Sequence, residues 1–139
     1  MHKKIAVIVY TIDPENKIRL LLLHNKPFNG YMDEWTFVFG DVENYESLEK
    51  AALREAREEF GIIHTENLAN LNYKIIFKGK KGETEIHFFI LEVKNINTKI
   101  TLNDESIGYD WMLPNDAKLK IQYEDEKLAI DKLMIKINH

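Results

Sequence analysis

Two runs rich in Ile, Val, Leu and Tyr open the chain, Lys4 to Thr11 and Lys17 to His24. Asp13-Pro14-Glu15-Asn16 lies between them, and these turn formers predict a β-hairpin. Lys26 to Glu34 is polar, contains Pro27 and Gly30, and reads as a loop. Trp35 to Phe39 predicts a short strand ending at Gly40. From Ser47 to Phe60 strong helix formers run without Gly or Pro, and Gly61 stands where a helix commonly terminates. Asn72 to Lys78 and Glu83 to Val93 predict a second hairpin around Lys80-Lys81-Gly82. Ile96 to Leu102 is a weaker strand, and Tyr109 to Leu113 a short one stopped by Pro114. Glu124 to Ile137 closes the pattern as an amphipathic helix, with Leu128, Ile130, Leu133, Met134 and Ile137 near helical spacing. Many strands with one central and one terminal helix predict a mixed β-sheet with helices packed on its faces, an α+β fold or an α/β/α sandwich. No linker or repeat interrupts the chain, so one domain is expected over residues 1–139.

The composition, 45% hydrophobic and 30% charged in 139 residues, supports a buried core and argues against disorder. The absence of cysteine excludes a disulfide scaffold, a thiolate metal site and thiol catalysis. No apolar run is long enough to span a bilayer, so no membrane partner is expected. Met1-His2-Lys3-Lys4-Ile5 carries no signal-peptide pattern, so a cytoplasmic protein is the expectation. A net charge of −4 makes a general binder of duplex phosphates a poor expectation, unless metal ions stand between the two anionic partners.

The central helix carries the chemistry. At 3.6 residues per turn, Leu48, Ala51, Ala52 and Ala56 form its apolar stripe. Glu55 follows Leu48 by seven residues and Ala51 by four, and Glu59 follows Ala52 by seven. Glu55, Glu58 and Glu59 are therefore expected to continue the core-facing stripe. Like charges at i,i+4 repel, and carboxylates in the last turn meet the negative end of the helix dipole. A divalent cation resolves both conflicts, and hard oxygen donors suit Mg²⁺ or Mn²⁺. The alternative is a solvated surface helix with the compensating pairs Glu46–Lys50 and Arg54–Glu58.

Around this helix the order is Gly40, five residues, Glu46, seven residues, then Arg54-Glu55-Ala56-Arg57-Glu58-Glu59-Phe60-Gly61-Ile62. Every defined position of the Nudix box is filled over these 23 residues, with Ala56 small where a bulkier side chain is usual. The chain resembles the Nudix hydrolases. Trp35, the hairpins, Trp111 and the terminal helix also fall where that α/β/α sandwich would place them. The resemblance implies a divalent-metal-dependent hydrolase of nucleoside diphosphate derivatives, acting by water attack on a pyrophosphate phosphorus. It implies Mg²⁺ (or Mn²⁺) held by Glu58, Glu59, Glu55 and the Gly40 carbonyl, with Arg54 and Glu46 as an ion pair that orients the helix. Glu55 matches a ligand and, in some members, the base. A late acidic residue supplies the base in others; here Glu105 is favoured over Asp104 and Glu92.

The sequence departs from many relatives before the box. Val38 replaces a Pro, Phe39 a Gly, and Tyr45 the Gly that commonly precedes the motif Glu. Trp35-Thr36-Phe37 leading to Gly40-Asp41-Val42-Glu43 resembles the dinucleoside polyphosphate and RNA 5′-end branch, with a small nucleotide favoured over RNA as substrate. Phe37, Phe39, Tyr31 and Tyr123 are candidates to stack a base, or core aromatics. His24, Lys26, His87 and the Lys78 to Lys81 turn are candidates to meet phosphate. A homodimer is compatible with the family. The rival reading is a Nudix module that binds a nucleotide without hydrolysing it.

Overall fold

The computed structural model describes residues 2–25, 34–63, 67–80, 82–104 and 106–137. The first hairpin forms as expected, from β1 (His2–Ile12) and β2 (Ile18–Asn25), paired antiparallel from Val9↔Leu21 to Ile12↔Ile18. Its turn is fastened by Asp13, whose carboxylate accepts from the N–H groups of Glu15 and Lys17 and from Arg19 Nε. Asn16 takes the left-handed backbone there (φ 62°), a conformation Asn tolerates.

Beyond Val9 and Leu21, going toward the start of β1 and the end of β2, the two strands part company. The expected single strand over 35–39 fills the gap as two. β3 (Glu34–Thr36) pairs with the end of β2, and β4 (Val38–Asp41) pairs with the start of β1. Phe37 sits between them with its ring in the core, 1% exposed. One extended segment thus serves two diverging strands, and the fork it bridges is where the site lies.

On its other edge β1 runs parallel to β6 (Gly82–Glu92), from His2↔Thr84 to Tyr10↔Glu92. β6 pairs antiparallel with β5 (Leu68–Gly79), the second expected hairpin. β7 (Ser106–Met112) pairs antiparallel with the free edge of β2. These seven strands form one mixed sheet, in the order β3-β2-β1-β6-β5 with β4 and β7 attached to β1 and β2.

Three helices are described. α1 (Leu48–Phe60) covers one face of the sheet; α2 (Pro114–Lys120) and α3 (Glu124–Ile137) cover the other. Alternation along β1 explains the layering. Ile5, Val7 and Val9 pack with Ala51, Ala52, Ala56 and Phe60 of α1. Ala6, Ile8 and Tyr10 pack with Ala117, Ala129, Ile130 and Leu133. A strand covered on both faces reads as one continuous apolar run, as β1 does. The α/β/α sandwich is as expected.

One expectation is corrected and another is extended. Ile96 to Leu102 is not a strand: its Thr101 N–H donates to the Phe60 carbonyl at the end of α1 (2.8 Å), while Ile100 and Leu102 pack under the helix. Pro114 does more than stop β7. It occupies the first turn of α2, where its missing N–H costs no helical hydrogen bond.

Candidate active site

Both ends of α1 are fixed by local chemistry. Ser47 Oγ accepts from the Lys50 N–H (3.1 Å), a side-chain cap for an otherwise unpaired donor. Gly61 ends the helix in the left-handed conformation (φ 69°) and returns its N–H to Arg57 O. The last turn, with Glu58 and Glu59, is therefore held in place.

Arg54 organises the acids around it. Its Nε and Nη2 donate to the two oxygens of Glu46 at 2.8 and 2.9 Å, a planar fork on a carboxylate. Nη2 also donates to the Asp41 carbonyl (2.8 Å), and Nη1 to Glu55 (2.8 Å) and Glu58 (3.3 Å). Glu46 additionally accepts from the Glu43 N–H (3.0 Å). One guanidinium thus ties the 41–46 loop to the helix that carries the acids. The Arg54 hydrogen bonds hold the Glu46 carboxyl down at about 2, and Glu46 in turn raises the Arg54 guanidinium.

Tyr45 stands in this loop, fully exposed, with φ 67°. The turn that delivers Glu46 to Arg54 needs the left-handed backbone, which explains the usual Gly at this position. At Val38 and Phe39 the departure from relatives has another outcome. Val38 pairs with Val7 and Phe39 with Ala6, so both residues belong to the β1–β4 ladder. Phe39 then stands edge-on to Phe88, their centroids 6.1 Å apart.

Glu55 is buried, 7% exposed, and lies against Gly40. A Cβ on Gly40 would collide with the Glu55 carboxyl, so glycine lets the carboxyl keep this place. Burial raises the Glu55 carboxyl, the Arg54 hydrogen bond and charge oppose that rise, and Glu58 and Glu59 add to it. Glu59 is half-buried and accepts from Asn103 Nδ2 at 2.8 Å. Glu58 corrects the expectation that all three acids share the buried stripe. It is exposed, because it lies outside the arc of the helix that runs from Ala51 to Phe60.

Among the described residues no three acidic, His or Cys side chains converge closely enough to grip an ion. The donor set nevertheless fits a hard divalent cation: carboxylates at the end of one helix and a backbone carbonyl at Gly40, whose missing Cβ makes the space. Arg54 supplies the positive charge in this arrangement. Glu58, whose contact to it is the longer and more exposed, is the carboxylate freest to turn toward a cation.

A cavity of about 240 Å³ opens in the fork of the sheet, lined by Leu23, Asn25, Glu34, Thr36, Phe37, Phe39 and Glu59. Phe37 and Phe39 thus serve both core and cavity. Glu34, Thr36 and Asn103 were not legible in the sequence; only the fork gives these strand-end and loop residues a role. A larger cavity of about 630 Å³ beside Gly61, Glu92, Lys94 and Lys99 is lined by none of the box acids. Glu92 faces that cavity, and Asp104 is exposed. Of the expected residues, Glu105, Tyr31, Lys26 and Lys81 lie outside the described residues. His24 stacks on Trp35 (centroids 4.3 Å apart), and His87 contacts Glu85 at 3.1 Å.

The family model of the NUDIX domain matches residues 2–133. The chain belongs to the Nudix hydrolase family. Nucleoside triphosphatase NudI of Escherichia coli O139:H28 is 30% identical over 90 residues, 60% of this chain and 64% of that protein. The match therefore spans less than two thirds of that relative's length. A Caenorhabditis elegans Ap4A hydrolase in a binary complex superposes with a TM-score of 0.82 at 21% identity, covering 99% of this chain and 98% of that one. Escherichia coli dihydroneopterin triphosphate pyrophosphohydrolase superposes at 0.76 with 22% identity, covering 96% and 95%. The NUDIX domain of Shewanella oneidensis NrtR, complexed with ADP ribose, superposes at 0.77 with 13% identity, covering 97% and 87%. At these identities the likeness establishes the Nudix fold. The Nudix box maps onto the Gly40 strand, the Arg54-braced loop and α1, the three pieces that meet at the acid cluster.

Proposed function

We propose that this protein is a divalent-cation-dependent pyrophosphohydrolase of nucleoside diphosphate derivatives, such as a nucleoside triphosphate or a dinucleoside polyphosphate. The observation that carries the reading is the Arg54 hub. It spends one side chain on Glu46, Glu55, Glu58 and the Asp41 carbonyl, holding the whole box in register. A domain that only stabilised itself would gain little from placing three glutamates at a helix C-terminus. The kinds of relatives are consistent with it: a nucleoside triphosphatase in sequence, and an Ap4A hydrolase and a dihydroneopterin triphosphate pyrophosphohydrolase in fold.

On this reading Glu55, Glu58, Glu59 and the Gly40 carbonyl would hold Mg²⁺ or Mn²⁺. The cation supplies charge neutralisation of the pyrophosphate oxygens and lowers the pKa of an attacking water. Arg54 and Glu46 keep the glutamates aimed at one point, a positioning task. Glu105 removes the proton from the water, with Glu55 as the alternative base if the late loop does not reach. Asn25, Thr36 and Phe39 line the cavity that takes the organic part of the substrate. One domain acting in the cytoplasm accommodates all of this; among the described residues no helix is long and apolar enough to cross a membrane.

A non-hydrolysing nucleotide module is the rival, and the complete set of box glutamates speaks against it. A screen with Mg²⁺ tests the reading against nucleoside triphosphates, dinucleoside polyphosphates, ADP-ribose, nucleotide sugars and 5′-triphosphate RNA, reading phosphate and pyrophosphate release. Metal-dependent release from a mononucleotide or dinucleotide is the expected result. Binding of a nucleotide with no release from any substrate would transfer the assignment to the rival.

A further inference from the structure

The larger cavity, about 630 Å³, lies apart from the acid cluster, past the C-terminal end of α1. Three stretches of chain meet there: Gly61 to Ile63 leaving the helix, Glu92 to Lys94 at the end of β6, and Thr98 with Lys99 in the loop that follows. Its volume falls within the ~300–1,000 Å³ of a site for a complete small ligand, a range that the cavity in the fork does not reach.

Its walls are fixed before any ligand arrives. Gly61 is set by the helix end, and the Thr101 N–H donates to the Phe60 carbonyl beside it (2.8 Å). The Val93 N–H donates to the Tyr10 carbonyl (2.9 Å), and the Val93 carbonyl accepts from Thr11 Oγ1 (2.8 Å). The Glu92 N–H donates to the Asn67 carbonyl (3.3 Å). The turn between Lys94 and Lys99 closes on Asn95, whose side-chain oxygen accepts from the Asn97 N–H (2.8 Å) and whose carbonyl accepts from Thr98 Oγ1 (2.7 Å). A ligand that enters such a site orders little new chain, so little of its binding energy is lost.

The chemistry of the lining is divided. Ile62 and Val93 are buried and give the cavity an apolar floor, continuous with the core under α1. Lys94 and Lys99 are exposed at its rim. Among the described residues neither meets a carboxylate at ion-pair distance, as Lys4, Lys74, Lys118 and Lys127 do. Glu92 is the acid in the lining, so cations outnumber it in a chain of net charge −4. The Arg57 and Phe60 carbonyls at the helix end, which would repel an anion, are taken by the N–H groups of Gly61 and Thr101.

We propose that this cavity is a second ligand site, for a small organic anion: an apolar body seated on Ile62 and Val93, and a carboxylate or phosphate head held by Lys94 and Lys99. A neutral ligand would leave both ammonium groups unanswered, and a cation would meet them as like charges. The proposal does not rest on the nucleotide reading above, since none of the box acids lines the cavity.

Amide NMR shifts of the isotope-labelled full chain test it, in titrations with 2-naphthoate, 2-naphthyl phosphate, 2-naphthamide and 2-naphthylmethylammonium. The four compounds share one apolar body and differ in the head. The amides of Gly61, Ile62, Val93 and Thr98 should shift saturably with at least one of the two anions, and little with the neutral and cationic compounds. The anion that binds more tightly distinguishes a carboxylate ligand from a phosphate one. In Lys94→Gln/Lys99→Gln the affinity should fall by up to about 5-fold for each lysine, and in Lys94→Glu/Lys99→Glu further still. Both lysines are exposed, so circular dichroism should be unchanged in either variant. Equal shifts with the anionic, neutral and cationic compounds, or no saturable shift at these four amides, would overturn the proposal. So would shifts confined to Phe37 and Phe39 in the fork, or wild-type affinity in the Glu variant.

Discussion

Glu55 and Glu126 are equally buried, 7% exposed, each on a helix packed against the same sheet. Their surroundings differ. Glu55 sits past the middle of α1, where Glu58 and Glu59 oppose its charge, yet Arg54 donates to it at 2.8 Å. Glu126 sits in the first turn of α3, where the dipole favours an anion, yet Glu34 and Asp125 oppose its charge and no cation faces it among the described residues. Burial raises both carboxyls; at Glu55 the arginine pulls back, and Glu126 is left at about 7. A buried carboxyl's chemistry is thus decided by its partner more than by its depth. Glu55 stands beside a guanidinium, and Glu126 faces no cation among the described residues.

The largest effect that could break this contrast concerns the base. If Glu55 is committed to Arg54 and a cation, Glu105 removes the proton. Glu105→Gln should then lower turnover by about 10²–10⁴-fold while leaving Mn²⁺ affinity as it is, and higher pH should restore part of the rate. Normal turnover in that variant would move the base to Glu55 and blur the two roles.

Stability against pH sharpens the other half. Glu126 binds its proton more tightly in the folded chain, so the stability linked to it is fully present below the ordinary carboxylate range. It is lost as pH rises through about 7. Glu126→Gln removes that loss. Denaturant unfolding should find it more stable than wild type at pH 8, by up to ~3 kcal/mol, and close to wild type at pH 4. A variant equally destabilised at both pH values would show Glu126 engaged by a donor. Glu46, held at about 2 by Arg54, works in the reverse sense: its contribution is present above the ordinary carboxylate range and fades as pH falls toward 2.

Arg54→Ala should cost about 10–100-fold in turnover, the size typical of a side chain that positions metal ligands. Arg54→Lys should not rescue it, because an ammonium cannot make the planar fork on Glu46 and reach Glu55 as well. Wild-type turnover in the Lys variant would reduce Arg54 to a bystander. The smallest effect is at Tyr45. Replacing a residue at φ 67° by Gly relieves about 1–2 kcal/mol of backbone strain. The greater freedom of Gly in the unfolded chain returns ~0.4–1 kcal/mol of that. Tyr45→Gly should therefore stabilise the protein by roughly 0.5–1 kcal/mol, measured by chemical denaturation, with the Arg54–Glu46 pair intact.

The sequence exposed one half of this comparison and hid the other. The box was legible because spacing places Glu55 against the apolar side of α1, and because the resemblance to the Nudix box pairs Arg54 with Glu46. The hairpins and the terminal helix were legible from their periodicity. Glu126 was not, because Glu124, Asp125 and Glu126 read as ordinary acids in a helix's first turn, and only packing buries the third. The split of the 34–41 segment was hidden too, since two short strands with different partners share one extended pattern with a single strand. Ile96 to Leu102 misled because Ile100 and Leu102 pack with the α1 cluster while the Thr101 backbone caps the helix instead of joining the sheet.

The central claim is that the α1 glutamates, braced by Arg54, hold a divalent cation. Calorimetric titration of Mn²⁺ into wild type and Glu58→Gln tests it most directly, because Glu58 is exposed and its replacement should spare the fold. The account predicts saturable binding in wild type that is lost in Glu58→Gln, with circular dichroism unchanged. Equal Mn²⁺ binding in the two proteins, or none in either, would contradict it.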